Sequence, residues 1–382
     1  MEKKSNIDDA ALQEDILNLL AWSGSNAMNP SLIAALLDKE QSELQDTLHE
    51  AVASGSLVGT KRYRLNPDLL EKQQEKFPIA DKKEWVLTVC MRMGDWFEAR
   101  RKNSEAMAEI ESELIHLEKW LTHVEPYSIY HTARLTWFQA YPPYHKGKYQ
   151  DALKLVQTAV SLLDKVQAPE SETDDFFKLK ANLFQDIAAV QEELGNLEET
   201  LKYYSQAEKI AAENLGHLKP DQAEILSNIG AFYERDKNLE EAIKHFEQAL
   251  EIRREHFGEL HPETATSIND IGTCYYEAKK YSEAIQFLQK AVETRQQVLG
   301  DEHPDTNDSL YNLAVCLVNL KKLKEAYERV HKQLKKLSPG HRSFNELMGL
   351  LQYIDSESVK SGFRPMSAVS SGKTGKKKKK KK

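Results

Sequence analysis

Apolar residues along this chain fall at helical spacing, and from Leu183 to Leu337 the pattern itself recurs every 42 residues without an insertion. At that step Ile187, Ile229, Ile271 and Leu313 are in register, as are Ala188, Gly230, Gly272 and Ala314. Leu197, Leu239, Tyr281 and Leu323 align next, followed by Glu199, Glu241, Glu283 and Glu325, then by Tyr204, Phe246, Leu288 and Val330. In the central copy Ile229, Gly230 and Tyr233 share one face of a first helix, while Ala242, Phe246 and Ala249 share one face of a second. Small residues at Gly230 and Ala242 let the two backbones approach, and Tyr233 and Phe246 fill the space beside them. The predicted unit is a helical hairpin, which cannot bury its apolar face alone and must stack on its neighbours.

This order of large, small and aromatic positions over two helices resembles the tetratricopeptide repeat, whose usual unit is about 34 residues. Here a longer connection ends each time at a proline, in Lys219-Pro220, His261-Pro262 and His303-Pro304. With runs such as "HPETATSINDIG" and "SLYNLAVCL", the copies are similar to the repeats of kinesin light chains. The resemblance implies an all-α fold, a right-handed solenoid with its concave side lined by the first helix of each pair. By spacing, that lining is Gln185, Ala189 and Glu192; Ser227, Ala231 and Glu234; Asn269, Thr273 and Tyr276; and Tyr311, Val315 and Val318. Asn228, Asp270 and Asn312 occupy the neighbouring flank.

In the family, amides on this face hold the backbone of an extended peptide, because an amide donates and accepts at once. The resemblance therefore implies a peptide-binding groove formed by Gln185, Asn228, Glu234, Asn269, Tyr276, Tyr311 and Asn312. Asp186 and Asp270 depart from the pattern, standing where Asn is expected. Any single one of these polar residues is read equally well as the solvated face of its helix.

Residues 8–76 have another pattern. Leu12, Ile16, Leu19 and Leu20 make one helical stripe; Asn29-Pro30 opens a second helix through Ile33, Leu36 and Leu37; and Leu44, Leu48 and Val52 mark a third. After Gly55, "SLVGTKRYRLNP" predicts a hairpin with Leu57 and Leu65 turned inward. Three helices and a hairpin form a winged helix, and this segment resembles the winged-helix module of the NB-ARC or STAND class of signalling ATPases. That class carries a Gly-rich phosphate loop ahead of the module; none precedes it here, so ATP-driven switching is not implied. A DNA-reading third helix needs Arg, Lys, Asn or Gln facing out. This one reads Glu40, Gln41, Ser42, Glu43, Gln45, Asp46, His49 and Glu50, whose carboxylates repel phosphate and outweigh Lys61, Arg62 and Arg64 in the wing, which favours a protein-contacting or architectural role.

Residues 77–180 are less regular. Gly94-Asp95-Trp96 and Gly147-Lys148-Tyr149 each read as the turn into a second helix, giving two degenerate hairpins ahead of the regular repeats of 181–337 and six hairpins in all. Pro142-Pro143 is expected to end a helix sharply, and residues 168–175 to form a polar loop. Trp85, Trp96, Trp120, Trp137 and Phe138 are read as packing between helices, with an aromatic ligand pocket as the alternative. Residues 338–355 are expected to cap the stack through Phe344, Leu347, Leu350 and Leu351, and 356–382 to form a Lys-rich disordered tail.

Charge narrows the partners. The net charge of −8 becomes −15 without the seven terminal lysines, so the folded part is acidic, which argues against a nucleic-acid binder. The tail suits an anionic membrane, RNA or the acidic body itself. An acidic lining at Glu192, Glu193, Glu234 and Asp270 favours a protein or peptide partner bearing Lys or Arg. Three cysteines exclude a disulfide framework, and Cys274 and Cys316 are 42 apart, a repeated packing slot. With no leader-type cleavage site and no apolar run of about 20 residues, a cytoplasmic location is expected.

Catalytic chemistry has no candidate. HExxH, CxxC and GxSxG are absent, and "SSGKTG" lacks the first glycine of a phosphate loop, that place being Ser367. His261 and His303 recur before proline at helix starts, a structural position. No cofactor, metal or catalytic residue is predicted. The expectation is a non-enzymatic adaptor; the alternatives are a DNA-binding regulator with a repeat sensor, and a self-associating scaffold.

Overall fold

The computed structural model describes residues 2–101, 106–168, 170, 173–215 and 219–360. The chain divides into two compact units, residues 1–210 and 211–382. The Lys-rich run past 360, with the "SSGKTG" motif, lies outside the described residues.

The first unit opens with helices α1 (Glu2–Trp22), α2 (Pro30–Leu37) and α3 (Gln41–Ala53), then a two-stranded antiparallel hairpin, β1 (Leu57–Val58) and β2 (Arg64–Leu65). Asn29 starts α2 as read from sequence: its side chain accepts the Ser31 N–H, and Pro30 occupies the first turn, where its missing N–H costs nothing. Leu57 pairs with Leu65, and both are buried with Ile16, Leu19, Leu32, Ile33, Leu44 and Leu48. Met28 and Tyr63 add a backbone bridge that ties the hairpin to the α2 entry.

After α4 (Leu70–Lys76) come α5 (Lys83–Arg100), α6 (Met107–Val124), α7 (Ile129–Phe138), α8 (Tyr141–His145), α9 (Tyr149–Leu163), α10 (Thr173–Glu193) and α11 (Leu197–Asn214), the last crossing the division between units. Here three local readings are corrected. Gly94-Asp95-Trp96 is no turn: α5 runs through it unbroken, and the glycine makes room for Arg134, whose Cζ would lie 2.8 Å from a Cβ at that position. Pro142 and Pro143 do not end a helix but sit in the first turn of α8, α7 having stopped at Phe138. Thr173, Asp174 and Asp175, expected in a loop, already belong to α10, whose N-terminal dipole favours the two carboxylates. Gly147, by contrast, is a turn residue with φ of 71°, and α9 begins two positions later.

The second unit shows the 42-residue step in its elements. It contains α12 (Lys219–Arg235), α13 (Leu239–Phe257), α14 (Pro262–Glu277), α15 (Tyr281–Val298), α16 (Pro304–Asn319), α17 (Leu323–Leu334) and α18 (Phe344–Lys360), each packed on the next. His261 and His303 cap α14 and α16, each ring accepting a backbone N–H two residues on at 3.2 Å. A Cβ at Gly272 would lie 2.8 Å from Leu288 Cγ, so the close approach read from the small positions is real. Arg253 and Arg295, 42 apart and buried, reach from α13 and α15 to Ser267 (2.6 Å) and Ser309 (2.7 Å) on the following helices. α18 buries Leu347, Leu350 and Ile354 and continues through Ser356 to Lys360, five residues into the stretch read as tail. Both units are all-α in their body, built as the consecutive helix pairs of a solenoid.

Candidate functional site

In the second unit, α12, α14 and α16 carry six of the seven residues expected in a groove. Asn269 on α14 accepts from Ser309 Oγ on α16 at 2.8 Å, and its amide nitrogen lies 3.5 Å from Asp270 Oδ1. The Thr273 hydroxyl, one turn on, is 2.8 Å from the Asp270 carbonyl and 3.2 Å from Glu234 Oε1 on α12. A polar line thus crosses three successive first helices, from Glu234 to Ser309. Burial pushes the Asp270 carboxyl up to about 6; the Asn269 hydrogen bond works against this and the neighbouring Glu234 with it. Glu234 is likewise raised by burial, with Thr273 lowering it. Asn228 and Asn312 are half-buried on α12 and α16. Tyr276 packs its ring 5.9 Å from that of Tyr281, and Tyr311 is 38% exposed. Asn269 is therefore partly committed within the protein, keeping one amide hydrogen and one lone pair to offer.

Gln185, the seventh, belongs to the first unit. It is buried on α10, where its amide donates to Asn182 Oδ1 at 3.2 Å.

A second polar centre, not foreseen from sequence, lies in that unit. Asp186 on α10 accepts from Trp137 Nε1 at 2.6 Å and from the Tyr141 hydroxyl at 3.0 Å. Arg101 donates to Tyr141 (3.0 Å) and to Glu98 (2.7 Å), its guanidinium 4.9 Å from the Trp137 ring centre. Burial raises the Asp186 carboxyl, opposed by Arg101 and the two donors. The aromatic cluster is packing for the most part: Trp120, Trp137 and Phe138 are 0–1% exposed, and Phe97 stacks on Phe138 at 5.6 Å. Trp137, however, also edges a cavity of 250 Å³ between α5, α7 and α10, while Asp186 borders another of 120 Å³ between α8, α9 and α10. The aligned Asp186 and the aromatic run at Trp137 signalled its parts in the sequence but not their meeting; the donors to Asp186 come from 49 and 45 residues away.

A 480 Å³ cleft between α3 and the hairpin is lined by Gln41, Ser42, Gln45, His49, Thr60 and Lys61 and by no carboxylate, while Glu43, Asp46 and Glu50 of α3 are exposed. In the opposite sense, Arg62, counted as a wing cation, is taken: it bonds Ala27 O (2.9 Å) and Ser112 Oγ (3.0 Å) and pairs with buried Glu113 of α6.

Among the described residues no group of three or more His, Cys, Asp or Glu is placed to hold a metal ion, and no helix is long and apolar enough to cross a membrane.

Stacked helix pairs with a 42-residue step, closed across Gly230 in α12, Gly272 in α14 and Ala314 in α16, form an all-α solenoid. Residues 221–297 match the tetratricopeptide repeat family. Among solved structures, the apo form of RapI superposes with a TM-score of 0.53 at 17% identity, over 74% of this chain and 86% of that one. The apo form of the quorum sensor NprR from B. thuringiensis gives 0.51 at 15% identity, over 86% and 84%. BtubC from P. vanneervenii gives 0.49 at 16% identity, over 61% and 96%. No curated protein matches by sequence. At these identities the likeness is one of fold.

Proposed function

We propose that this chain is a non-enzymatic adaptor that takes up an extended segment of another protein on the first helices of its second unit. Asn228, Asn269 and Asn312 bind the segment's backbone, Tyr276 and Tyr311 flank it, and Glu234 with Asp270 favours a Lys or Arg side chain. The observation that carries this reading is the polar line from Glu234 through Thr273, Asp270 and Asn269 to Ser309, which crosses three helices and holds two desolvated carboxylates. Desolvated carboxylates attract a cation more strongly than hydrated ones.

The test is capture of partners by the full chain, identified by mass spectrometry, followed by affinity measurement on the segment bound. Replacing Asn228, Asn269 and Asn312 together by Ala should abolish binding, and Tyr311→Ala should weaken it. Because a cation binds the ionised carboxylate, affinity should rise as pH increases through about 6, where Asp270 ionises, and fall with added salt. Affinity unchanged in the triple variant rejects the reading.

In the same reading residues 8–76 are a winged helix used for protein contact. The engagement of Arg62 by Glu113 leaves fewer cations for phosphate than the sequence offers. A shift of random duplex DNA at low salt by chain lacking the lysine run would instead favour the DNA-binding regulator. Three cysteines without a disulfide fit a reducing compartment, and we place the protein in the cytoplasm.

A further inference from the structure

The two cavities of the first unit lie along one face of α10. Asp175, Lys178, Leu179 and Asn182 border the larger, and Asp186, Ala189 and Val190 the smaller. At 100° per residue these seven positions all fall within about 60° of a single line down the helix. The bridge of Trp137 and Tyr141 to Asp186 separates the two hollows.

Their chemistry differs. The larger hollow has three carboxylates, Asp95, Glu98 and Asp175, against two cations, Arg134 and Lys178. Arg134 is held by Asp95 at 2.7 Å, and Glu98 by Arg101 at 2.7 Å. Asp175 is exposed, and its carboxylate makes no ion pair among the described residues. His131 adds no positive charge at neutral pH, since burial and the adjacent Arg134 lower its pKa to about 4. Trp137, Leu179 and Met91, the last 42% exposed, give an apolar wall along which an alkyl stem can lie. The smaller hollow is walled by the short side chains of Ala140, Ala152, Val156, Ala189 and Val190, which leave room for one aliphatic group, and also by Tyr141, Tyr144, His145 and Asp186. Asn182 stands between the two; its Oδ1 accepts from Gln185 at 3.2 Å, and its NH₂ meets no acceptor among the described residues.

Spacing connects them. From the middle of the first set on α10 to the middle of the second is nine to ten residues, about 14 Å at a rise of 1.5 Å. An extended chain covers that in about four residues, and side chains four apart in a strand point to the same side.

We propose that this face of α10 receives an extended peptide in which a Lys or Arg and a medium-sized aliphatic residue stand four positions apart. The cation enters the larger hollow toward Asp175, the aliphatic residue enters the smaller, and the Asn182 amide donates to the backbone between them. This goes beyond the adaptor reading, whose groove lies in the second unit, and gives the first unit a separate peptide site of its own.

The experiment uses the full chain and fluorescent peptides with Arg and Leu fixed at a separation of four or of three, the other positions randomised, read by anisotropy. The separation of four should bind at least about tenfold more tightly. Asp175→Lys and Ala189→Leu, each confirmed folded by thermal unfolding, should each lower affinity about tenfold, while Lys154→Ala, exposed on α9 and lining neither hollow, should leave it unchanged. Equal binding of the two separations, or wild-type affinity in both first-unit variants, overturns the proposal. Failure of every peptide to bind overturns it too, with partner capture and the triple Asn228, Asn269 and Asn312 variant still deciding the adaptor reading.

Discussion

Asp270 shows how a single side chain changes meaning between sequence and structure. In the repeat alignment it is an aspartate where an asparagine is expected; in the fold it is a carboxyl whose burial on α14 raises its pKa to about 6 from 3.8. The folded state therefore holds the proton more tightly than the unfolded chain. Its favourable contribution is complete below about pH 4 and is lost as pH rises through about 6. Asp270→Asn should remove that loss, making the protein more stable at pH 7.5 by on the order of 1–3 kcal/mol and flattening the dependence between pH 4.5 and 7.5. Urea unfolding of both proteins at the two pH values measures this; parallel pH profiles would show that the carboxyl is not desolvated. The identity of Asp270 was legible from the 42-residue register, but its burial was not, because α12 and α16 supply the surroundings.

Elements were legible wherever local chemistry decides them. The starts of α14 and α16 follow from His-Pro, since the proline suits a first turn and the histidine ring accepts a free N–H. Gly272 was readable as a close approach because its partner Leu288 lies in the same hairpin. Gly272→Ala, with its methyl 2.8 Å from Leu288 Cγ and 3.3 Å from Leu288 N, should destabilise the second unit by about 1–3 kcal/mol in denaturant unfolding, while the same change at Gly349, which has open space, should cost far less. Gly94 misled because its reason is not local. The residue that needs the space is Arg134 of α7, 40 positions away, and no spacing within α5 announces it.

At the scale of each unit, polar contacts between distant segments set the arrangement. In the first, α6 grips the N-terminal helices and hairpin through Glu109 to Asn29 and Ser31, Glu113 to Arg62, and His116 and Trp120 to Ser23. Arg62→Ala leaves the fully buried Glu113 without its counter-ion and should cost about 3 kcal/mol. A thermal midpoint within a degree of wild type would show that the grip is not electrostatic. The sequence by itself determined what a short-range period can encode: the helical hairpins, their 42-residue step, their caps and the close approaches within a pair. The tertiary structure alone decided which charges are spent and which remain, committing Arg62 to Glu113, joining Trp137 and Tyr141 to Asp186, and aligning two hollows along α10. The physical reason is that helical periodicity names the face a residue occupies, whereas desolvation and hydrogen bonding depend on what another segment, tens of residues away, brings against that face.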